Sequence, residues 1–299
     1  MKTNPLSRRR FLERSAGAAG ALLLTSGSWL QAQAAPKRTA VDQIALGKTG
    51  LKLSRLGFGT GTNSGNVQRD LGQEGFNKLI RYAYDQGITY FDCAQNYRTF
   101  EWIGGAIKGL PREKLFIQSK VWGKPEDALA AIDRHRKVFG TDYVDSLLIH
   151  CMVKDGWTDE WKRIMDAFDE AKQKKWIRAK GVSCHSLPAL RAATASNWTE
   201  VHLVRVNPQA KYIDGMDEAW DKPGRDLAPV LAELKTMRAQ GRGVIGMKII
   251  GNGDFAQPED REKSIRFAMS RPELDAIVIG FKSTAEIDEA IKRTNQALS

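Results

Sequence analysis

The sequence has little cysteine and little histidine, and this limits the kinds of site it can build. Its 299 residues include three cysteines and four histidines. Cys93, Cys151 and Cys184 form no Cys-x-x-Cys pair, which predicts free thiols rather than a disulfide framework, a zinc ribbon or an iron–sulfur cluster. No His-x-His motif is present, so a barrel hydrolase that gathers histidines around metal ions is disfavoured, and we expect no metal.

The chain also lacks an apolar run long enough to cross a bilayer. Its formal net charge is +11, yet beyond residue 34 no block of five or six basic residues occurs. Thinly spread positive charge favours solubility and attraction for an anionic cofactor over nucleic-acid binding. We therefore expect no nucleic-acid partner.

The first 34 residues have the pattern of an export signal. The segment Ser7–Leu12 (SRRRFL) precedes an alanine-rich apolar run over Ala16–Leu24 and a small-x-small site at Ala32–Ala34. Paired arginines before Phe-Leu resemble a twin-arginine signal, the address of proteins exported after folding; an ordinary Sec signal is the alternative. We expect cleavage of residues 1–34, a mature domain over residues 35–299, contact with the twin-arginine machinery, and a bacterial periplasmic location without a membrane anchor.

Short apolar runs alternate with longer amphipathic stretches eight times along the rest of the chain. This alternation predicts an α/β fold with a parallel sheet inside and helices outside, and closure into a (β/α)₈ TIM barrel removes the open edges. The eight predicted strands are Leu56–Gly59, Ile88–Asp92, Leu115–Ser119, Ser146–His150, Ala179–Ser183, Leu203–Val206, Val244–Met247 and Ala276–Ile279.

An open, doubly wound sheet is the competing architecture. Such a sheet requires a Gly-x-Gly-x-x-Gly motif after the first strand. A motif that begins at Gly57 would need glycine at position 62, which is Thr62, and one that begins at Gly59 would need glycine at position 64, which is Ser64. Ahead of the barrel, two short β-rich runs flank the glycines of the segment 47–50, which predicts an N-terminal β-hairpin.

Four residues capable of proton transfer fall near the ends of successive predicted strands. Asp92 ends the second strand, Tyr97 lies in the following loop, Lys120 follows the third strand and His150 ends the fourth. Strand ends meet at one mouth of such a barrel. A phenol with a pKa near 10 can serve as a general acid if a cation stabilises its phenolate, and Asp92 would keep a buried Lys120 charged.

The sequence elements around these residues resemble those of the aldo-keto reductase family, from about residue 44 to 295. The matching segments are Leu46–Leu51, Gly87–Tyr97, Ser119–Val121 and Leu148–His150. The resemblance implies a catalytic tetrad of Asp92, Tyr97, Lys120 and His150, and reduction of aldehyde or ketone carbonyls by hydride from a nicotinamide cofactor. A barrel that keeps the cofactor as a non-catalytic sensor or docking module is the alternative.

The resemblance also implies a cofactor-binding set. Ser183 matches the serine that holds the nicotinamide carboxamide, but its usual asparagine neighbour is Cys184 here, so the contact is lost or passes to His185 or Asn207. Asn207 resembles the polar residue after the sixth strand, but Arg205 shares its side of the strand, and the register is left open. Lys282 would pair with the 2′-phosphate of NADP(H), whereas Glu286 would repel it, so we predict NADP(H) with NAD(H) as the alternative. The predicted cofactor residues are Ser183, Asn207, Met247, Lys248, Gly251, Gly280, Lys282 and Ser283.

Three further expectations concern the surroundings of the site. The loops Cys151–Glu160 and Gln209–Pro223 would bind the carbonyl substrate through an apolar wall of Trp157, Tyr212, Met216 and Trp220. All three cysteines should lie near the mouth, and His135 should lie on a helix surface. Outside the cytoplasm the cofactor would be retained and recycled by coupled oxidation and reduction, or by a redox partner.

Overall fold

A computed structural model describes residues 37–299. The export signal predicted for residues 1–34 lies outside the described residues, so the signal and the domain boundary at residue 35 remain predictions. Within the described part, no helix combines the length and the apolar character needed to cross a membrane.

Eight parallel strands close into a barrel, as the alternation of the sequence predicts. Each strand pairs with the next along the chain and the last pairs with the first, so the (β/α)₈ prediction is confirmed. A hairpin of β1 (Gln43–Ala45) and β2 (Lys52–Ser54) precedes the barrel. The barrel strands are β3 (Leu56–Gly59), β4 (Tyr90–Asp92), β5 (Phe116–Val121), β6 (Val144–Met152), β7 (Ile177–Cys184), β8 (Val201–Arg205), β9 (Gly243–Met247) and β10 (Ala276–Gly280).

Helices surround the strands and bury their apolar stripes against them. In α2 (Gly72–Asp85), for example, the buried side chains Phe76, Leu79, Ile80 and Ala83 recur at helical spacing. Gly140 follows the last residue of α4 (Ala128–Phe139) and has a φ of +63°, a left-handed cap that glycine adopts without strain. The helices are α1 (Asn66–Arg69), α2 (Gly72–Asp85), α3 (Ile103–Ile107), α4 (Ala128–Phe139), α5 (Trp157–Glu160), α6 (Lys162–Gln173), α7 (Leu187–Ala195), α8 (Ala228–Gln240), α9 (Pro258–Met269) and α10 (Thr284–Leu298).

The hairpin closes one end of the barrel. Leu46, Leu51 and Leu53 belong to the cluster of apolar side chains that fills the barrel interior. The carboxylate of Asp275 accepts hydrogen bonds from the backbone N–H of Gly47 and of Val244, which joins the hairpin turn to the sheet. The opposite end, where the strands reach their carboxyl termini, is left for the site.

His135 lies in a different place from the one predicted. It lies on the buried face of α4 and is fully buried. Its Nδ1 lies 2.9 Å from Ser119 Oγ, and its ring packs edge-on against Phe100 and Phe139. The prediction of a surface histidine was wrong because charged neighbours along a helix say little about the face on which one residue lies.

Candidate active site

A buried ion pair forms the base of the site. Lys120 Nζ, on β5, lies 2.8 Å from both carboxylate oxygens of Asp92, at the end of β4, and donates a third hydrogen bond of 2.7 Å to the carbonyl of Cys93. Side-chain exposure is 1% for Lys120 and 7% for Asp92. All three hydrogens of the ammonium therefore have an acceptor at a point that water barely reaches.

The ion pair keeps the lysine charged. Burial has the largest single effect and lowers the pKa of Lys120, but Asp92, Tyr97 and Cys93 together outweigh it, Asp92 most of all, and the pKa is raised above its ordinary value. The site therefore holds a fixed positive charge at neutral pH.

Gln118, also on β5, holds the Asp92 carboxylate in place by a hydrogen bond. Its side-chain amide donates to Asp92 Oδ1 and approaches the hydroxyl oxygen of Tyr90, each at 2.9 Å. Sequence reasoning missed this residue, although a signal was present. Gln118 and Lys120 are two apart on one strand, and in a strand that spacing places both side chains on the same face.

Tyr97 lies in the loop after β4, beside this charge. The Lys120 ammonium is 5.0 Å from the centre of the Tyr97 ring. Burial raises the pKa of Tyr97 to about 12, while Lys120 acts in the opposite direction. The phenol is therefore protonated at neutral pH, and a cation stands next to it to stabilise the phenolate left after proton donation.

His150 faces the phenol from β6. Its ring centre is 5.5 Å from that of Tyr97 and 5.4 Å from that of Trp122, both in edge-on geometry. Burial, followed by the charges of Lys120 and Lys248, lowers the pKa of His150 well below its usual range, so the ring is neutral. Its Nδ1 is buried and has no partner among residues 37–299.

The structure thus gathers the four predicted catalytic residues at one barrel mouth. They come from three consecutive strands and the loop after the first of these. The neutral phenol of Tyr97 can donate a proton to an oxygen held between its ring and the neutral imidazole of His150. The ion-paired ammonium of Lys120 lies beside the phenol and can stabilise the charge that remains.

The next two strands supply the side chains predicted to hold a nicotinamide ring. Ser183 Oγ, at the end of β7, accepts a 3.0 Å hydrogen bond from the backbone N–H of Cys151. The hydroxyl hydrogen of Ser183 remains free to donate.

Asn207 does not offer a free amide. Its Nδ2 donates to the carbonyls of Lys211 and Lys248, at 2.7 and 3.1 Å, and its Oδ1 accepts from the N–H of Lys211. These hydrogen bonds shape the loop after β8 and leave a lone pair of Oδ1 for a ligand. That Asn207 binds the cofactor stays a prediction.

Arg205 ends β8, two residues before Asn207, and the sequence left open which of the two faces the site. Its Nε donates to Asp214 Oδ1 at 2.7 Å and its Nη2 donates to the carbonyl of His185. Arg205 and Asp214 are each 2% exposed. Leu203, two residues earlier, belongs to the cluster inside the barrel, so the period of the strand could have placed Arg205 on the inner face. That Arg205 joins two loops of the mouth is visible only in the structure.

A crevice leads from Tyr97 towards the start of α10. One part, of about 80 Å³, is lined by Gly61, Tyr97 and Lys248 among others. It shares Thr62 and Gly280 with a cavity of about 480 Å³ between the loop after β9 and α10. The shared lining forms a path from the proton donor to a helix N-terminus.

Close side-chain contacts explain two glycines at this crevice, Gly280 in its lining and Gly251 next to the lining residue Asn252. A Cβ on Gly280 would lie 2.0 Å from Thr62 Oγ1, and one on Gly251, at φ +56°, would lie 2.7 Å from the ring of Phe255. Both positions therefore exclude larger residues. A long, narrow, glycine-lined crevice with a proton donor at one end fits a dinucleotide.

Lys248 is the cation of the middle of the crevice. Its Nζ donates to Asn252 Oδ1 at 2.8 Å. Burial, together with the charge of Arg205, lowers the pKa of Lys248 to about 8. The neighbouring Met247, also in the predicted set, lines the narrow part beside Tyr97.

The far end of the crevice is the start of α10. Ser283 caps the helix by accepting from the N–H of Glu286 at 3.3 Å. The N–H of Lys282 donates to a carboxylate oxygen of Glu286 at 2.8 Å. Both predicted residues lie where expected, and Glu286 lies with them.

The apolar wall predicted for the substrate loops is formed only in part. Trp157 is 1% exposed and its indole N–H donates to the carbonyl of Ala189, so it is a core residue rather than a wall residue. Among residues 37–299 the exposed large apolar side chains are Trp122, Met216 and Trp220. Trp122, not singled out from the sequence, contacts His150 directly.

The three cysteines differ in access. Cys93 and Cys184 are buried and only Cys151 is partly exposed. Burial raises the pKa of the Cys93 thiol to about 12 and that of Cys151 to about 11. Such thiols are almost fully protonated at neutral pH and react slowly.

Comparison with known proteins places the chain in context. The model of the Aldo/keto reductase family matches residues 55–299. The chain is 35% identical over 109 residues to the 9,11-endoperoxide prostaglandin H2 reductase of Trypanosoma cruzi, which covers 35% of this chain and 37% of that protein. It is 30% identical over 190 residues to an aldehyde reductase of Saccharomyces cerevisiae, covering 52% of this chain and 58% of that protein. The chain spans less than two-thirds of the length of these relatives.

Among solved structures, the holo form of an aldo-keto reductase from Bacillus halodurans has a TM-score of 0.67 at 16% identity. The match covers 87% of this chain and 95% of that chain. At this identity the likeness shows a shared fold.

Proposed function

Because the chain belongs to the aldo/keto reductase family, we propose that it reduces the carbonyl group of an aldehyde or ketone with a nicotinamide nucleotide as hydride donor. The observation that carries the proposal is the buried Lys120–Asp92 pair beside the protonated phenol of Tyr97. This arrangement supplies a proton and then stabilises the charge that its loss leaves behind.

A nucleotide held by the crevice would supply the hydride for the carbonyl carbon. Tyr97 gives its phenolic proton to the carbonyl oxygen, and Lys120 stabilises the resulting phenolate by charge. His150, held neutral, donates a hydrogen bond that orients the same oxygen. Asp92 and Gln118 act as positioning residues for the lysine.

The residues fit a nucleotide along the crevice. Ser183 has a hydroxyl hydrogen to offer a carboxamide, Lys248 brings a positive charge to a pyrophosphate, and Gly280 leaves the crevice wall without a side chain. Lys282 alone supports the prediction of NADP(H), and the carboxylate of Glu286 beside it opposes that prediction.

The test compares nucleotide binding with turnover. We expect purified protein to quench or enhance NAD(P)H fluorescence on titration and to reduce members of an aldehyde panel. Tyr97→Phe removes the transferable proton, so turnover should fall by about 10²- to 10⁴-fold while the nucleotide still binds.

Tyr82→Phe is the matched control, because Tyr82 lies on α2 and bonds Asp288 at the surface. It should keep full turnover. Binding without turnover in the unmodified protein would favour a sensor or docking role, and equal turnover in Tyr97→Phe would remove Tyr97 as the acid.

We also propose that the protein is exported folded, with its cofactor, to a bacterial periplasm. The N-terminal pattern SRRRFL supports this, and recycling of the cofactor would come from coupled reactions or a redox partner. Cell fractionation of the full chain and of an Arg8→Lys, Arg9→Lys variant tests the route. Rapid loss of nucleotide on gel filtration would contradict retention.

A further inference from the structure

We propose that this chain selects NAD(H) over NADP(H), and that Glu286 determines the preference. The inference rests on the proposed function, since it takes the crevice to hold a nicotinamide nucleotide. The two nucleotides differ only at the ribose 2′ position, which carries a hydroxyl in one and a phosphate in the other. The question is which of these groups the far end of the crevice accepts.

Glu286 holds the position that a 2′-phosphate would need. One oxygen of its carboxylate accepts the Lys282 N–H at 2.8 Å, so the carboxylate covers a backbone donor at the start of α10. The other oxygen is 4.0 Å from Lys282 Nζ. The side chain is 38% exposed and lines the cavity of about 480 Å³. A phosphate here would meet a negative charge instead of free amides.

The cations around this cavity already have carboxylate partners. Arg261 makes a two-pronged contact with Glu289, at 2.9 and 3.3 Å, and donates its remaining nitrogen to carbonyls of residues 255–256. Arg293 contacts Glu289 at 2.7 Å and Glu262 at 2.9 Å.

Lys282, the third cation, faces Glu286. Each of the three cations therefore contacts a carboxylate, so a phosphate dianion would have to compete with Glu286, Glu289 and Glu262 for them.

A ribose 2′-hydroxyl, by contrast, can form a hydrogen bond with Glu286. It is a hydrogen-bond donor without charge, and the second oxygen of Glu286 is an acceptor with no hydrogen bond among the described side chains. In the unrelated doubly wound dinucleotide sites, a carboxylate accepts a hydrogen bond from the ribose 2′-hydroxyl, whereas arginine accompanies the 2′-phosphate. The sequence predicted that Lys282 pairs with the 2′-phosphate, whereas in the structure its ammonium faces the carboxylate of Glu286.

The test is a pair of equilibrium titrations with NADH and NADPH, followed by nucleotide fluorescence without substrate. We expect NADH to bind about tenfold more tightly than NADPH at low salt, from the repulsion between Glu286 and the extra phosphate. Added salt should narrow the gap, because the carboxylate is partly exposed and screened.

Two variants test the role of the residue. Glu286→Gln keeps the shape and removes the charge, so NADPH should gain about tenfold in affinity with little change for NADH. Glu286→Arg should reverse the order. Glu259→Gln is the matched control, because Glu259 lies in the first turn of α9 but does not line the cavity; it should leave the ratio unchanged. Thermal melting of each variant checks folding.

The outcomes separate the two proposals. If neither nucleotide binds, the proposed function fails. If NADPH binds as tightly as NADH or more tightly, the function stands and the selectivity is overturned. If NADH is preferred but Glu286→Gln and Glu286→Arg leave the ratio as it was, Glu286 is not the residue that sets it.

Discussion

Lys120 is among the largest side chains that the described barrel buries completely. An ammonium in such a place depends on its counter-charge, because removing one member of a buried pair leaves the other uncompensated. The pair is therefore costly in stability terms, and its presence beside Tyr97 is understandable through the proton transfer that it supports.

Asp92→Asn tests this dependence. It should lower the free energy of unfolding by roughly 3 kcal/mol, since Lys120 keeps its desolvation cost and loses its partner. Adding Lys120→Met should recover most of that stability, while turnover stays low in both variants. Denaturant unfolding monitored by tryptophan fluorescence measures the cycle. Equal stability of the single and double variants would mean that the pair is not coupled.

Single side chains were predicted from the sequence with uneven success. Asp92, Tyr97, Lys120 and His150 come together because strand ends in a barrel converge on one mouth. Asn207 and Arg205 could not be told apart without the register of β8, and Trp157 was assigned to a loop although its indole reaches the core. A local pattern gives residue types and order, but not which face a loop residue turns inward.

At the scale of elements, strand positions were predictable and strand ends less so. β6 continues to Met152, two residues beyond the predicted end, through a register shift in which Cys151 has φ +62°. Apolar runs mark the middle of a strand, whereas its end is set by hydrogen bonds to the neighbouring strand. Here Ser183 of β7 binds the Cys151 N–H and fixes the irregular end.

The turn after β3 leads to a prediction about how an element positions Tyr97. A Cβ on Gly61 would lie 2.3 Å from Cζ and 2.6 Å from the hydroxyl of Tyr97. Gly61→Ala should therefore displace the phenol and lower kcat/KM by about 10²-fold, the usual cost of misplacing a reacting group by an ångström. Steady-state kinetics measure this directly.

Gly105→Ala is the control for this change, because Gly105 lies on α3 and a Cβ at that position would come no closer than 3.4 Å to a neighbouring side chain. It should leave turnover unchanged. If Gly61→Ala reacts as fast as the unmodified protein, the loop is free to yield and Gly61 does not constrain Tyr97.

At the scale of the whole molecule, closure of the barrel was the most predictable feature, because eight alternations of strand and helix have few other solutions. The same closure buries polar groups that composition alone does not reveal. His202, on β8, is fully buried and both ring nitrogens are without partners among residues 37–299. Burial lowers its pKa to about 3, with a smaller effect of Arg242.

This histidine predicts part of the acid sensitivity of the fold. In the unfolded chain it binds a proton below a pKa of about 6.5, whereas in the folded protein it stays neutral until about pH 3. Between these values the unfolded state holds more protons, so the free energy of unfolding falls as the pH falls. From pH 7 to pH 5 the loss from this one group is about 2 kcal/mol.

His202→Leu should remove that loss. The variant should gain about 2 kcal/mol relative to the unmodified protein between pH 7 and pH 5, measured by denaturant unfolding at each pH. Asp214, whose pKa burial raises to about 6, titrates with the opposite sign, but both proteins contain it and its effect cancels in the difference. A stability difference that is the same at both pH values would show that His202 is not neutral in the fold, since only a group whose proton binding changes on unfolding makes that difference depend on pH.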